Sequence, residues 1–154
     1  MSPWDKGRAE VERLIQEGKL QRIPATTYDG QTLRIPRNHL NSAEKTIEHD
    51  LEGAYTLLYD AMRKALVALL AVQGLRATSK GGHIVIHDCL KAQLSPQADN
   101  LLRAYDRMRR SRNNVEYPPV GAEEITAEEV RDDIKTVREA LPTIERLLEV
   151  LPVF

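Results

Sequence analysis

The chain has 154 residues, 42% apolar and 29% charged, a balance that supports one folded domain with a real core and excludes a disordered chain. Lys and Arg number 22 against 23 Asp and Glu, so a uniformly basic nucleic-acid coat is excluded while a local basic patch is not. The single cysteine excludes an internal disulfide framework and a cysteine-rich zinc site, and it fits a reducing cytoplasm. The longest apolar run, Ala65 to Val72, falls short of the about 20 residues that cross a bilayer, so no membrane partner is expected.

In chain order, Ser2-Pro3-Trp4-Asp5 reads as a helix start, with a serine cap and a proline at the first helical position. Arg8, Val11, Leu14 and Ile15 continue at helical spacing, and Gly18 closes the element. Residues 19–38 hold Pro24, Gly30 and Pro36. Tyr28-Asp29-Gly30 marks a turn there, and alternation around Ile23 and Leu33-Ile35 suits either a linker or a weak pair of strands. Asn41-Ser42-Ala43-Glu44 has the form of a capping box and predicts a helix start, with a break or kink at Asp50 to Gly53.

Ala54, Leu57, Leu58, Ala61, Met62, Ala65, Leu66, Leu69 and Leu70 then repeat at i, i+3, i+4, i+7 and predict a central buried helix ending at Gly74. Residues 75–82 read as a loop. His83 to Leu94 suits a helix, although Ile84-Val85-Ile86 is β-branched. Ser95-Pro96 predicts the start of a helix that runs to Glu116, before Pro118-Pro119. Thr126 to Glu129 is a second capping box, followed by Val130, Ile134, Val137, Leu141, Ile144 and Leu148 at alternating steps of four and three. Pro142 should kink this last helix or trim its end. The expected architecture is an all-α antiparallel bundle of five to six helices, with an N-terminal helix and linker over 1–38 and the bundle over 39–154.

Helix 96–116 carries most of the chemistry. Its apolar stripe is Leu101, Tyr105, Met108, Arg112 and Val115, so Arg112 falls on a face that should be buried. A guanidinium keeps its charge and needs a carboxylate, a wet cleft or an anionic ligand there. Glu116 and Asp106 are the internal partners within reach. Arg103, Arg107, Arg109 and Arg110 surround it, and Arg103, Arg107 and Arg110 share one helix face. That face is either a phosphate-binding strip or a solvated surface paired with acidic helices. His83 and His87 stand four apart, but Asp88 and Cys89 fall elsewhere on the helix, so no zinc ligand set is expected; His83 reads as a loop-capping residue after Gly81-Gly82.

Arg112-Asn113-Asn114-Val115-Glu116-Tyr117-Pro118, late in a helical bundle, resembles the HEPN superfamily, with support from Tyr59 to Leu66, Gly74-Leu75-Arg76 and Gly81-Gly82-His83. The resemblance is to an actinobacterial-type branch and covers about residues 40 to 150. It implies a small all-α protein of toxin–antitoxin or phage-defence systems. It also implies two protomers that join their motifs at a dimer interface, and metal-independent attack of an RNA 2′-hydroxyl on the adjacent phosphate. Such ribonucleases follow the motif Arg with a His; here Glu116 and Tyr117 stand in that place.

On this resemblance Arg112 is the anion contact, Asn113 orients it, and Glu116 or Tyr117 is the proton carrier, with no cofactor. The alternative is a non-catalytic toxin- or antitoxin-type interaction module. A cognate antitoxin such as a minimal nucleotidyltransferase would be the partner in a toxin–antitoxin pair. Homodimerisation is also expected because one small bundle should not bury both late apolar stripes.

Overall fold

The computed structural model describes residues 5–154; Ser2, Pro3 and Trp4 of the expected helix start lie outside the described residues. In chain order come α1 (Arg8–Gln16), β1 (Leu20–Arg22), α2 (Arg34–Thr46), α3 (Leu51–Val72), β2 (Leu75–Ala77), α4 (Ile84–Leu94), α5 (Asp99–Glu116) and α6 (Ala127–Val150). The protein is an all-α bundle to which one small antiparallel sheet is attached.

Helix α3 is the axis. Its apolar residues recur on more than one face, so it packs against α2, α4, α5, α6 and β2. Asp50 caps it by accepting from the Gly53 amide at 2.9 Å. Gly74, at φ 78, ends it in the left-handed region, where a Cβ would stand 3.0 Å from the Ile23 carbonyl. That close approach admits the first strand, and the Ile23 amide donates to Gly74 O at 2.8 Å.

Four expectations change. The loop after α3 begins as a strand: Leu20, Gln21 and Arg22 pair with Ala77, Arg76 and Leu75. The strand partner is therefore distant in sequence, and Leu33-Ile35 belongs to the start of α2. Helix α2 begins at Arg34, not at Asn41, because the Asp29–Thr32 turn delivers the chain there and Pro36 is tolerated in a first turn. Ser95 closes α4, its amide donating to Lys91 O at 3.1 Å, and α5 starts only at Asp99. Helix α6 is not trimmed at Pro142 and runs to Val150, since Arg138, whose carbonyl loses its usual donor, lies on the exposed face.

The late stripes are buried within the single chain, through Leu102, Tyr105 and Met108 of α5 and Val130, Ile134, Val137 and Ile144 of α6. They therefore provide no argument for a dimer. No helix among the described residues is long and apolar enough to cross a membrane.

Candidate functional site around Arg112

The buried face of α5 begins at Leu102, with Leu101 only partly covered. Arg112 accordingly lies at the edge of that face, its side chain 23% exposed. Its guanidinium stands over the Tyr59 ring at 5.7 Å and pairs with Glu116 at 2.8 Å. Its Nε is buried and has no hydrogen-bond partner. Asn113 is exposed and makes no hydrogen bond to Arg112 among the described residues; its carbonyl accepts from the Tyr117 amide at 2.8 Å as the helix ends. Tyr117 is 76% exposed.

The other arginines of α5 meet mostly carboxylates. Arg107 binds Asp133 of α6 through both nitrogens, at 3.1 and 2.5 Å, and Tyr55 donates to the same carboxylate at 2.9 Å. The Asp133 bond pushes the Arg107 pKa up. Arg109 and Arg110 share Asp106, at 2.9 and 3.2 Å. Burial raises that carboxyl, but the Arg109 bond and the charges of Arg109, Arg110 and His87 hold it below its ordinary value. Arg103 bonds Asn100 at 2.9 Å.

Opposite Arg112, His83 stands at the start of α4. Its Nδ1 lies 2.7 Å from the Tyr59 hydroxyl, which lies 3.3 Å from the Tyr105 hydroxyl, and Tyr105 donates to the His83 carbonyl at 3.0 Å. Burial, then the charges of Arg63 and Arg112, lower the His83 pKa, so the ring is neutral at neutral pH. Both tyrosines are fully buried and their phenol pKa values are raised by that burial.

Two clefts flank this centre. One of about 370 Å³ lies between α3, β2 and the start of α4; Arg63, Arg76 and His83 line it, and no carboxylate does. The other, of about 710 Å³, lies between α5, α6 and residues 118–126. Glu52, Glu123, Glu124, Glu129, Asp132 and Asp133 surround its one arginine, Arg107.

A family model described as the HEPN domain matches residues 31–150. The chain belongs to the HEPN domain family. No curated protein and no solved structure matches it. HEPN domains are associated with RNA-cleaving or nucleotide-related functions. The match takes in α2 to α6 and both clefts, and leaves α1 and β1 outside.

In this HEPN domain the fold brings His83, at the start of α4, to the hydroxyl of Tyr59, over whose ring Arg112 stands. Nothing in the spacing of His83 announces that, because Tyr59 joins the two residues in space. Arg63, Arg76, Tyr105 and Asp133 were likewise silent as site residues. His87 lies 2.9 Å from the carboxylate of its neighbour Asp88. Among the described residues no group of three or more His, Cys, Asp or Glu is placed to hold a metal ion. Cys89 is buried, which pushes its thiol up to about 12.

Proposed function

We propose that this HEPN protein binds or cleaves RNA as a homodimer, in a toxin–antitoxin or phage-defence setting and without a metal. Arg112 is the phosphate contact, Asn113 lies beside it, and Glu116 or Tyr117 carries the proton. Arg103, Arg109 and Arg110 extend the phosphate strip along α5, with Arg107 as its most constrained member. The observation that carries this reading is the half-committed state of Arg112. It has one carboxylate partner on an exposed residue and a buried Nε with none. A guanidinium held by one exposed carboxylate can exchange it for a phosphate, which it binds through two nitrogens.

The dimer surface in this reading is the end of α5 and the segment after it, where Tyr117 and Val120 are exposed. A cognate antitoxin of the nucleotidyltransferase kind would act at the same surface, with Tyr117 as the residue modified. A second reading has its own support: carboxylates already engage Arg107, Arg109, Arg110 and Arg112. A charge-balanced α5 beside an exposed apolar segment suits a non-catalytic interaction module.

Arg112→Lys separates the two. It keeps the charge and loses the planar fork. Because Glu116 is exposed, stability should change by less than about 1 kcal/mol. RNA binding or cleavage should collapse while sedimentation still reports a dimer. Full RNA activity in the lysine variant would end the assignment.

A further inference from the structure

We propose that the basic cleft between α3, β2 and α4 binds a ribonucleotide unit, with its phosphate on Arg63 and Arg76, its base against Val67 and Ala77, and its ribose 2′-hydroxyl donating to Nε2 of His83. The choice of a nucleotide rests on the RNA reading above; the cleft is separate from the Arg112 motif.

The charge argument comes first. Two guanidiniums from different elements line a cleft with no carboxylate in its wall. Arg63 meets Asp60 of its own helix only through one oxygen, at 3.3 Å. Arg76 meets a neutral partner, the Gln21 amide oxygen, whose satisfied orientation accepts from its Nε at 3.1 Å. Each partner takes the Nε and Nη2 edge, so the Nη1 end of each guanidinium is left for an anion, and a planar guanidinium suits phosphate. The volume, about 370 Å³, is that of a small-ligand pocket, and the half-buried Val67 of α3 and Ala77 of β2 offer a base a surface to lie on.

Proton counting then decides what His83 does. Tyr105 spends its single proton on the His83 carbonyl. The contact between the two hydroxyls therefore needs the Tyr59 proton, and the contact between Tyr59 and Nδ1 needs a proton on Nδ1. Each contact has a donor only when His83 Nδ1 donates to Tyr59, Tyr59 to Tyr105, and Tyr105 back to the His83 carbonyl. In neutral His83 this leaves Nε2 as a bare acceptor, and no group among the described residues bonds to it. An acceptor repels a phosphate oxygen and welcomes a hydroxyl, which is the atom that separates ribose from deoxyribose.

The test titrates the full chain by calorimetry at neutral pH with AMP, 2′-deoxy-AMP, and one short RNA bearing either a 5′-phosphate or a 5′-hydroxyl. AMP should bind more tightly than its deoxy form by about fivefold. His83→Phe should erase that ratio. Arg76→Glu should weaken both nucleotides alike, by about tenfold or more. Arg131→Glu, the same charge change on the exposed side of α6, should alter neither.

AMP binding marks a free nucleotide as the ligand. A preference confined to the 5′-phosphorylated RNA, and lost in Arg76→Glu, marks the end of an RNA chain. The inference is overturned if none of the four probes binds, if Arg76→Glu behaves like Arg131→Glu, or if AMP binds and deoxy-AMP equals it. Nitrogen-15 NMR reads the tautomer without any variant: a proton on Nε2 at neutral pH overturns the hydroxyl contact. If Arg112→Lys abolishes RNA activity while Arg76→Glu changes nothing, this inference fails and the RNA reading survives. If Arg76→Glu abolishes AMP binding in a protein that neither binds nor cleaves longer RNA, the RNA reading fails and the cleft stands as a free-ribonucleotide site.

Discussion

The two clefts are lined by different stretches of α3 and treat charge in opposite ways. In the acidic cleft the lone cation is consumed internally: Arg107 is held through both nitrogens by Asp133, whose side chain is only 7% exposed, and Tyr55 completes the carboxylate. In the basic cleft two arginines and a histidine line the wall without a carboxylate among them. Formal charge along α5 is therefore a poor guide to binding. An arginine is available to a ligand only to the extent that the fold has not already paired it.

The comparison breaks most readily at Arg107. Arg107→Ala leaves the Asp133 carboxylate buried with Tyr55 as its remaining donor. We expect a loss of about 2–3 kcal/mol, below the usual cost of breaking a fully buried pair because Arg107 is half exposed. Urea unfolding measures it, and a loss under half of that would mean that water already satisfies Asp133.

The rim of the same cleft should respond less. Thr126 and Glu129 cap α6 reciprocally, at 3.1 and 2.8 Å, so Thr126→Ala should cost about 1 kcal/mol. A neutral outcome in the same unfolding assay would show that the cap is redundant.

Salt dependence sharpens the distinction between free and consumed arginines. If α5 meets RNA, Arg103→Ala should lower the salt slope of binding by about one, and Arg110→Ala, whose charge already meets Asp106, by less. Arg107→Ala should leave the slope unchanged, because its charge is already matched. Equal slope changes at all three positions would mean that Asp133 releases Arg107 when RNA arrives.

The smallest expected effect is a pH dependence from the histidines. Burial and the Arg63 and Arg112 charges lower the His83 pKa, and burial and Lys64 lower that of His39. The unfolded chain therefore binds more protons than the folded one as pH falls through the ordinary histidine value of about 6.5. Their contribution is complete above that value and is lost below it. The urea midpoint should fall as pH drops from 7 towards about 5.5, and less so in a His39→Gln, His83→Gln double variant. A midpoint that falls as steeply in the double variant would assign the effect to carboxylates such as Asp106 and Glu145, whose pKa values are also lowered in the folded protein.

Local patterns by themselves determined the helices that carry their own instructions. The 3.6-residue apolar repeat of α3, the Thr126–Glu129 box and the α5 stripe that carries Arg112 can each be read within a few turns of chain, because helix bonds and caps close within four residues. The HEPN resemblance was legible on the same local scale, from about residue 40 onward, within the residues 31–150 that the family model matches. Tertiary structure alone decided the rest. The pairing of Leu20–Arg22 with Leu75–Ala77 joins segments on opposite sides of two helices, and a three-residue strand has no period long enough to announce itself. Whether Asn41 or Arg34 starts α2 depended on a turn upstream, not on the box itself. The pairing of Arg107 with Asp133, and the meeting of His83 with Arg112 across Tyr59, depend on how α5 seats against α6 and α3. Sequence spacing carries no record of those meetings, because they are made by packing between helices rather than along one.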